Sequence, residues 1–404
     1  MFTDRVLSGM RPTGRMHLGH YHGALKNYVR LQSLHECFYF AADWHALTTH
    51  YATTEGIAQS TFEMIVDWLA AGVDPQQATV FVQSQVLETA ELTLLLGMIV
   101  PLGWLERVPT YKDQQQKLAD RDLSTFGFLG YPVMMASDIL IFRANMVPVG
   151  EDQISHLEIA REIARRFNFF YGREPDFEEK AKAAIKKLGN KKAREYEALR
   201  TAYQERGDTE ALESAKALLA ATQNLSLGDS ERLFGYLEGA RRVVLVEPQP
   251  LLTESSKVPG VDGQKMSKSY GNAIMMREDP ADLTKKIKTM KTDPARLRLS
   301  DAGNPERCPV WDLHKIYSSE ETRNTLHRGC TTAGIGCLAC KQPVIDAIIA
   351  EQAIFHERAQ KYLDNPSLVR DILDDGNDRA RRAAAETMRD VREAMGLKYD
   401  RSFA

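Results

Sequence analysis

The chain has 404 residues, 43% of them hydrophobic and 26% charged, and its formal net charge is −3. A single core rarely grows past about 250–300 residues, so the length predicts more than one domain. The near-neutral balance excludes a basic field over the whole molecule, and any nucleic acid must therefore meet a local patch. The opening Met1-Phe2-Thr3-Asp4-Arg5 carries no apolar signal segment, and no later apolar run is long enough for a bilayer. The expectation is a cytoplasmic protein with no membrane contact.

Taken in chain order, residues 1–171 alternate short apolar runs with amphipathic ones. Val6-Leu7, Phe38-Tyr39-Phe40-Ala41 and Val80-Phe81-Val82 read as buried strands. The stretch from Gln59 to Ala71 has helical spacing through Phe62, Ile65, Val66 and Leu69. Such alternation predicts an α/β fold with a parallel, doubly wound sheet. Residues 172–238 change character: they are rich in Ala, Lys and Glu and broken at Gly189-Asn190 and Gly207-Asp208. They read as an inserted helical hairpin or small bundle whose basic and acidic side chains are nearly balanced, which favours a solvated face over a nucleic-acid contact. The sheet pattern is expected to resume at Val243-Val244-Leu245-Val246, within a second sheet segment over 239–279. Residues 280–404 read as helical, with a last periodic segment from Asp378 to Met395. A locally basic stretch runs from Lys285-Lys286-Ile287-Lys288 through Lys291, Arg296 and Arg298. It is either a solvated helix face or a contact for a phosphate backbone.

Two motifs carry chemistry. His17-Leu18-Gly19-His20 follows Thr13-Gly14-Arg15-Met16 and precedes a helical pattern through Ala24, Leu25, Tyr28 and Leu31. A strand, a glycine turn and a helix start place backbone N–H groups and imidazoles against phosphate, and Gly19 lets a flat base approach the backbone. Far downstream, Lys265-Met266-Ser267-Lys268-Ser269 follows Pro259-Gly260-Val261-Asp262-Gly263-Gln264, a stretch whose punctuation lets both ammonium groups swing. Imidazoles at one end and mobile lysines at the other suit a triphosphate that loses pyrophosphate.

A third constellation is Cys308-x21-Cys330-x6-Cys337-x2-Cys340, punctuated by Gly329, Gly334 and Gly336. Four thiolates can hold Zn²⁺ or an iron–sulfur cluster, and the spacing does not choose between them. Cys37, set among Phe38, Tyr39 and Phe40, reads as a buried core thiol.

The paired motifs, in this order, make the chain resemble the class I aminoacyl-tRNA synthetases. The stretch Tyr131-Pro132-Val133-Met134-Met135-Ala136-Ser137-Asp138-Ile139-Leu140, with Val147-Pro148-Val149-Gly150-Glu151-Asp152-Gln153, is similar to the tryptophanyl branch. So are Leu7-Ser8-Gly9-Met10-Arg11-Pro12-Thr13-Gly14 and Asp43-Trp44-His45-Ala46-Leu47-Thr48. A tyrosyl enzyme would be expected to carry a further glycine and a serine before Asp-Gln, in place of Gly150-Glu151.

The resemblance implies a Rossmann-type catalytic domain in two parts, a helical insertion and an all-α C-terminal anticodon-binding domain. The substrates it implies are ATP with Mg²⁺, L-tryptophan and a cognate tRNA, handled by a homodimer. It assigns ATP to Arg11, Thr13, Gly14, His17, Gly19, His20, Gly150, Asp152 and the motif Lys265, Met266, Ser267, Lys268, Ser269. Of these, His17, His20, Lys265 and Lys268 are expected to be catalytic. Arg11 stands where some relatives have glutamine. Tryptophan falls to Leu7, Gly9, His45, Tyr131, Met135, Asp138 and Gln153: Asp138 accepts the indole N–H, Met135 packs on the ring, and Tyr131 and Gln153 hold the α-amino group. The four-cysteine motif is similar to that of a bacterial subset with a [4Fe–4S] cluster, which favours iron over zinc at Cys308, Cys330, Cys337 and Cys340. Arg328 and Lys341 would then lie near a bound anticodon. Asp43 and His45 could equally serve structure at a strand end.

Overall fold

Among the described residues, five parallel strands form the sheet, in the order β3-β2-β1-β4-β5: β1 Arg5–Met10, β2 Glu36–Ala41, β3 Ala78–Val82, β4 Met146–Val149 and β5 Gln249–Leu252. The computed structural model describes residues 4–108, 124–150, 154–172, 176–222, 225–237, 243–252 and 258–399. Side chains alternate across the sheet, as a period of two requires. Val6, Cys37, Tyr39, Ala41 and Val80 enter the core on one face, while Leu7, Phe38, Phe40 and Phe81 enter the other. Both faces are covered by helices, so the strands are apolar throughout. Cys37 is 1% exposed in the first core and is a packing residue.

The expected strand at 243–246 is not laddered. Val244 and Leu245 are buried, but their N–H groups donate to Asn168 Oδ1 at 2.9 and 3.0 Å, and Asn168 Nδ2 donates to the Leu245 carbonyl. A side-chain clamp satisfies the backbone there, and the sheet resumes only at Gln249. β5 holds Pro250 at the sheet edge, where a missing N–H costs no ladder bond.

The opposite edge, β3, is closed by the last helix, Ser367–Ala394. Asn377 Oδ1 accepts the Val82 N–H at 3.0 Å, and Arg379 donates to the carbonyls of Pro75 and Ala78. Gly376 permits this approach: a Cβ there would stand 1.8 Å from the Val80 carbonyl oxygen. An edge that would otherwise template another strand is thereby paired by side chains. Residues 176–237 include four helices, Phe177–Lys187, Asn190–Arg206, Thr209–Ala220 and Leu227–Leu237. They enclose a separate core of Ile185, Leu188, Tyr196, Leu219, Leu233 and Leu237.

Candidate functional site

The sheet order reverses between β1 and β4, and the carboxyl ends of these strands open onto a crevice, the usual ligand position in such folds. A cavity of about 560 Å³ lies there. Leu7, Gly9 and Arg11 line it from β1 and the turn beyond, and Gly150 from the end of β4. His45 and the helix residues Tyr131, Met135 and Asp138 close it. Gly9 has no room for a side chain, because a Cβ would lie 2.4 Å from the Phe40 ring.

Asp138 sits inside the helix Tyr131–Ile141 and is 3% exposed, so it is no helix cap. Its carboxylate meets His45 Nε2 at 2.9 Å and accepts Gln83 Nε2 at 2.9 Å. Burial pushes its carboxyl above the usual range, while the contacts with His45 and Gln83 oppose that rise. His45 follows β2 and Gln83 follows β3, so two strand ends aim their polar groups at one carboxylate. Gln83, 1% exposed, is absent from the sequence assignments: 55 residues separate it from Asp138, and no local pattern marks it. Asp43 locks the same strand ends, accepting the Trp44 and Ser84 N–H groups at 3.0 Å. Asp152 and Gln153 lie outside the described residues.

The imidazole turn forms a second cluster, one helical turn from Gly23 and Ala24 of the cavity wall. His17 caps the helical run, its Nδ1 accepting the His20 N–H at 3.3 Å, and His20 Nδ1 accepts the His17 N–H at 3.3 Å. The rings stack with centroids 3.6 Å apart. With each Nδ1 accepting, the proton of each neutral ring resides on Nε2, which is left as a donor. Burial, with repulsion from Lys268, lowers His17 to about 4. Burial, then His17 and the two lysines, lowers His20 to about 3. At neutral pH this turn offers uncharged N–H donors, not cations.

The lysine loop lies directly on the turn. Lys268 donates its ammonium to the carbonyls of Thr13 and Arg15, the latter at 2.9 Å. A backbone ribbon explains the register: the Leu18 N–H donates to the Ile274 carbonyl and the Met276 N–H to that of Met16. A Cβ on Gly19 would touch the His17 ring at 3.0 Å and Met266 at 3.5 Å. Asn272, 2% exposed, braces the loop: its Oδ1 accepts the Ser267 N–H, and its Nδ2 donates to Asp262 and the Lys265 carbonyl. Gly263 and Gly271 flank the motif at φ 85° and 64°, where left-handed backbone favours glycine. Lys265 and Ser269 are exposed, and Gly14, at φ 83°, shapes the turn beneath.

The family described as class I tRNA synthetases (W and Y) matches residues 3–188 and 223–351. A tryptophan–tRNA ligase of Ralstonia nicotianae is 66% identical over 399 residues, covering 99% of this chain and all of that one. The chain belongs to the class I tryptophanyl-tRNA synthetases. The tryptophan–tRNA ligase of Thermotoga maritima is 42% identical over 397 residues, 98% of this chain and all of that one. A tryptophanyl-tRNA synthetase from Campylobacter jejuni, solved with ADP and tryptophan, superposes with a TM-score of 0.72. It shares 28% identity and covers 97% of this chain and 99% of its own.

In this synthetase the four cysteines also come together. Cys308, Cys330, Cys337 and Cys340 line one recess with Asp293, Arg296 and Lys341, and all four are free thiols. Arg296 Nη1 stands 3.9 Å from Cys330 Sγ, and His314 Nε2 stands 3.6 Å from Cys340 Sγ. A Cβ on Gly303 would fall 2.6 Å from Cys330 Sγ, so the backbone is pared back to that sulfur. Burial and the neighbouring cysteines raise the Cys340 thiol to about 12. Among the described residues, no three His, Cys, Asp or Glu side chains close tightly enough to hold a single ion. The expectation for Lys341 is corrected. It is 3% exposed and donates to the carbonyls of Lys288 and Met290, because it points beneath the recess and away from solvent. In the basic stretch, Lys286 is spent on Glu278 and the Ala273 carbonyl, while Lys285, Lys288, Lys291 and Arg298 are exposed. No described helix is long and apolar enough to cross a membrane.

Proposed function

We propose that this chain performs its family's two-step tryptophan–tRNA ligation with the residues of the cavity and the adjoining turn. In the first step the tryptophan carboxylate attacks the α-phosphorus of ATP. The new P–O bond forms as the bond to the β-phosphate breaks, and pyrophosphate departs with the electron pair. The attacking group is already ionised and no general base is required, so catalysis reduces to positioning and charge stabilisation. His17 and His20 supply neutral Nε2–H donors to phosphate oxygens. Lys268 exchanges its two carbonyl partners for the departing pyrophosphate, assisted by Lys265; Mg²⁺ arriving with ATP would supply further neutralisation of phosphate charge. In the second step the 3′-terminal ribose of the tRNA takes the tryptophanyl group from the adenylate.

Asp138 is the specificity group of this reading: two of its partners are already in place, and an indole N–H supplies the next. A substrate lacking that donor strands a buried acceptor, and such sites discriminate by roughly 10⁴–10⁵. Tyr131 and Met135 complete the tryptophan pocket. The observation that carries the proposal is the docking of Lys268 on the turn that bears His17 and His20. ATP–pyrophosphate exchange tests it: exchange must depend on tryptophan, and equal exchange with tyrosine would overturn it.

The resemblance of the four-cysteine motif to that of a bacterial subset favours a [4Fe–4S] cluster over zinc, and the four thiols line one recess. Cys308, Cys330, Cys337 and Cys340 would hold the cluster as thiolates, tying three segments of the helical region together without any electron transfer in the reaction. The region 280–404 is then the anticodon-binding domain, with Lys285, Lys288, Lys291, Arg298 and Arg328 exposed for RNA phosphate. Of the division at 1–171, 172–238, 239–279 and 280–404, the insertion is supported by its separate core, whereas residues of 280–404 such as Leu283, Val344, Ala384 and Met388 pack into the cores on the two faces of the sheet. A homodimer is supported by exposed Leu87, Leu94 and Met98 on one helix face, with Leu102 beyond. A cytoplasmic location accords with this role.

A further inference from the structure

Asp67 is fully buried on the helix Ile57–Ala71, and neither the cavity nor the two nucleotide motifs contain it. Its neighbours Met64, Ile65, Val66 and Trp68 are apolar and buried. Its Oδ2 accepts the Met16 N–H at 2.6 Å, immediately before His17. Its Oδ1 accepts Arg277 Nε at 2.5 Å, just past the ribbon behind the lysine loop. Arg277, 6% exposed, also reaches Glu63 at 2.9 Å, and its carbonyl accepts the guanidinium of Arg15. One carboxylate therefore grips both segments that must meet on a nucleotide.

Burying an ion pair is expensive, and a well-packed apolar pair is often as stable or more so. Core stability alone thus gives little reason for a charge at this position. We propose that Asp67, with Arg277, is a positioning pair that fixes the spacing between the imidazole turn and the base of the lysine loop. The loop between Gly263 and Gly271 then pivots on a hinge that does not move. The pair touches no substrate, and its effect passes through the Met16 amide and the segment 274–277. This inference rests on the reading that turn and loop share ATP.

The test measures tryptophan-dependent pyrophosphate exchange, scaled to active sites, with tryptophan binding and melting temperature on the same samples. Asp67→Asn should lose at least about tenfold in kcat/KM for ATP while tryptophan affinity stays within about twofold. Asp67→Asn/Arg277→Met should regain melting temperature without regaining the ATP parameters. Glu63→Gln, altered at a less buried site, should raise the KM for ATP by about two- to threefold even where the other variants fail to fold. Recovery of both properties in the double variant, equal losses for tryptophan and ATP, or an unchanged ATP KM in Glu63→Gln would overturn the proposal. The unaltered protein separates the two readings: without tryptophan-dependent exchange, the functional assignment falls first.

Discussion

The ammonium of Lys268 lies 2.9 Å from the carbonyl oxygen of Arg15, closing a span of 253 residues onto the turn that carries His17 and His20. Burial lowers the pKa of Lys268, and the two carbonyls it meets are neutral acceptors. A polyphosphate offers it charged acceptors instead, and charge-assisted hydrogen bonds are roughly twice as strong as neutral ones. The resting contact is therefore one that a nucleotide can displace.

The state of the imidazoles is open to direct measurement. With His17 at about 4 and His20 at about 3, neither ring should titrate between pH 5 and 8. Carbon-13 histidine NMR, assigned with His17→Asn and His20→Asn, reads this, and a midpoint near 6.5 for either would contradict it. The sign for stability follows. From pH 6.5 down to about 4 the unfolded chain binds protons that these folded rings refuse, so their contribution to stability falls as pH falls through that window.

Gln83 should control the pocket through Asp138. Gln83→Met removes a donor to a buried carboxylate, a bond worth about 1.5–3 kcal/mol. Tryptophan affinity should drop by about tenfold at pH 7, equivalent to about 1.4 kcal/mol. The Asp138 pKa rises further in this variant, so binding should be lost at higher pH than in the parent as acid is added. Fluorescence titration across pH checks both outcomes.

The cysteine recess predicts a brown protein with about four irons per chain when purified without oxygen. Cys337→Ser should lose the colour and lower the melting temperature, with tryptophan-dependent exchange retained. A colourless, zinc-loaded and fully active preparation would contradict the cluster.

Gly376→Ala should destabilise by about 1–3 kcal/mol, because its Cβ meets the Val80 carbonyl. Gly97→Ala, with nothing within 4 Å of the added carbon, should be neutral or gain up to about 1 kcal/mol. Urea unfolding of the two variants compares them.

Local pattern made much of this molecule legible. The strands around Phe38 and Val80 and the helix from Gln59 announce themselves by periodicity, and the imidazole turn and lysine loop stand out as local motifs. Long-range contacts did not. Asp67 meets Arg277 across 210 residues and Gln83 meets Asp138 across 55, so nothing near either side chain reveals its partner. Val243–Val246 has a strand's composition, yet Asn168 takes the hydrogen bonds a neighbouring strand would have taken. Lys341 follows Cys340 in sequence, but the helix turns it inward under the recess.

The most direct measurement compares Lys268→Ala with the parent, by pyrophosphate exchange and by equilibrium tryptophan binding. Exchange should fall by about 10²–10³ with tryptophan affinity unchanged if this lysine acts as proposed, on charge that develops only as pyrophosphate leaves. Equal losses in exchange and tryptophan binding, or exchange that persists undiminished, would contradict the convergence of the two motifs on one nucleotide.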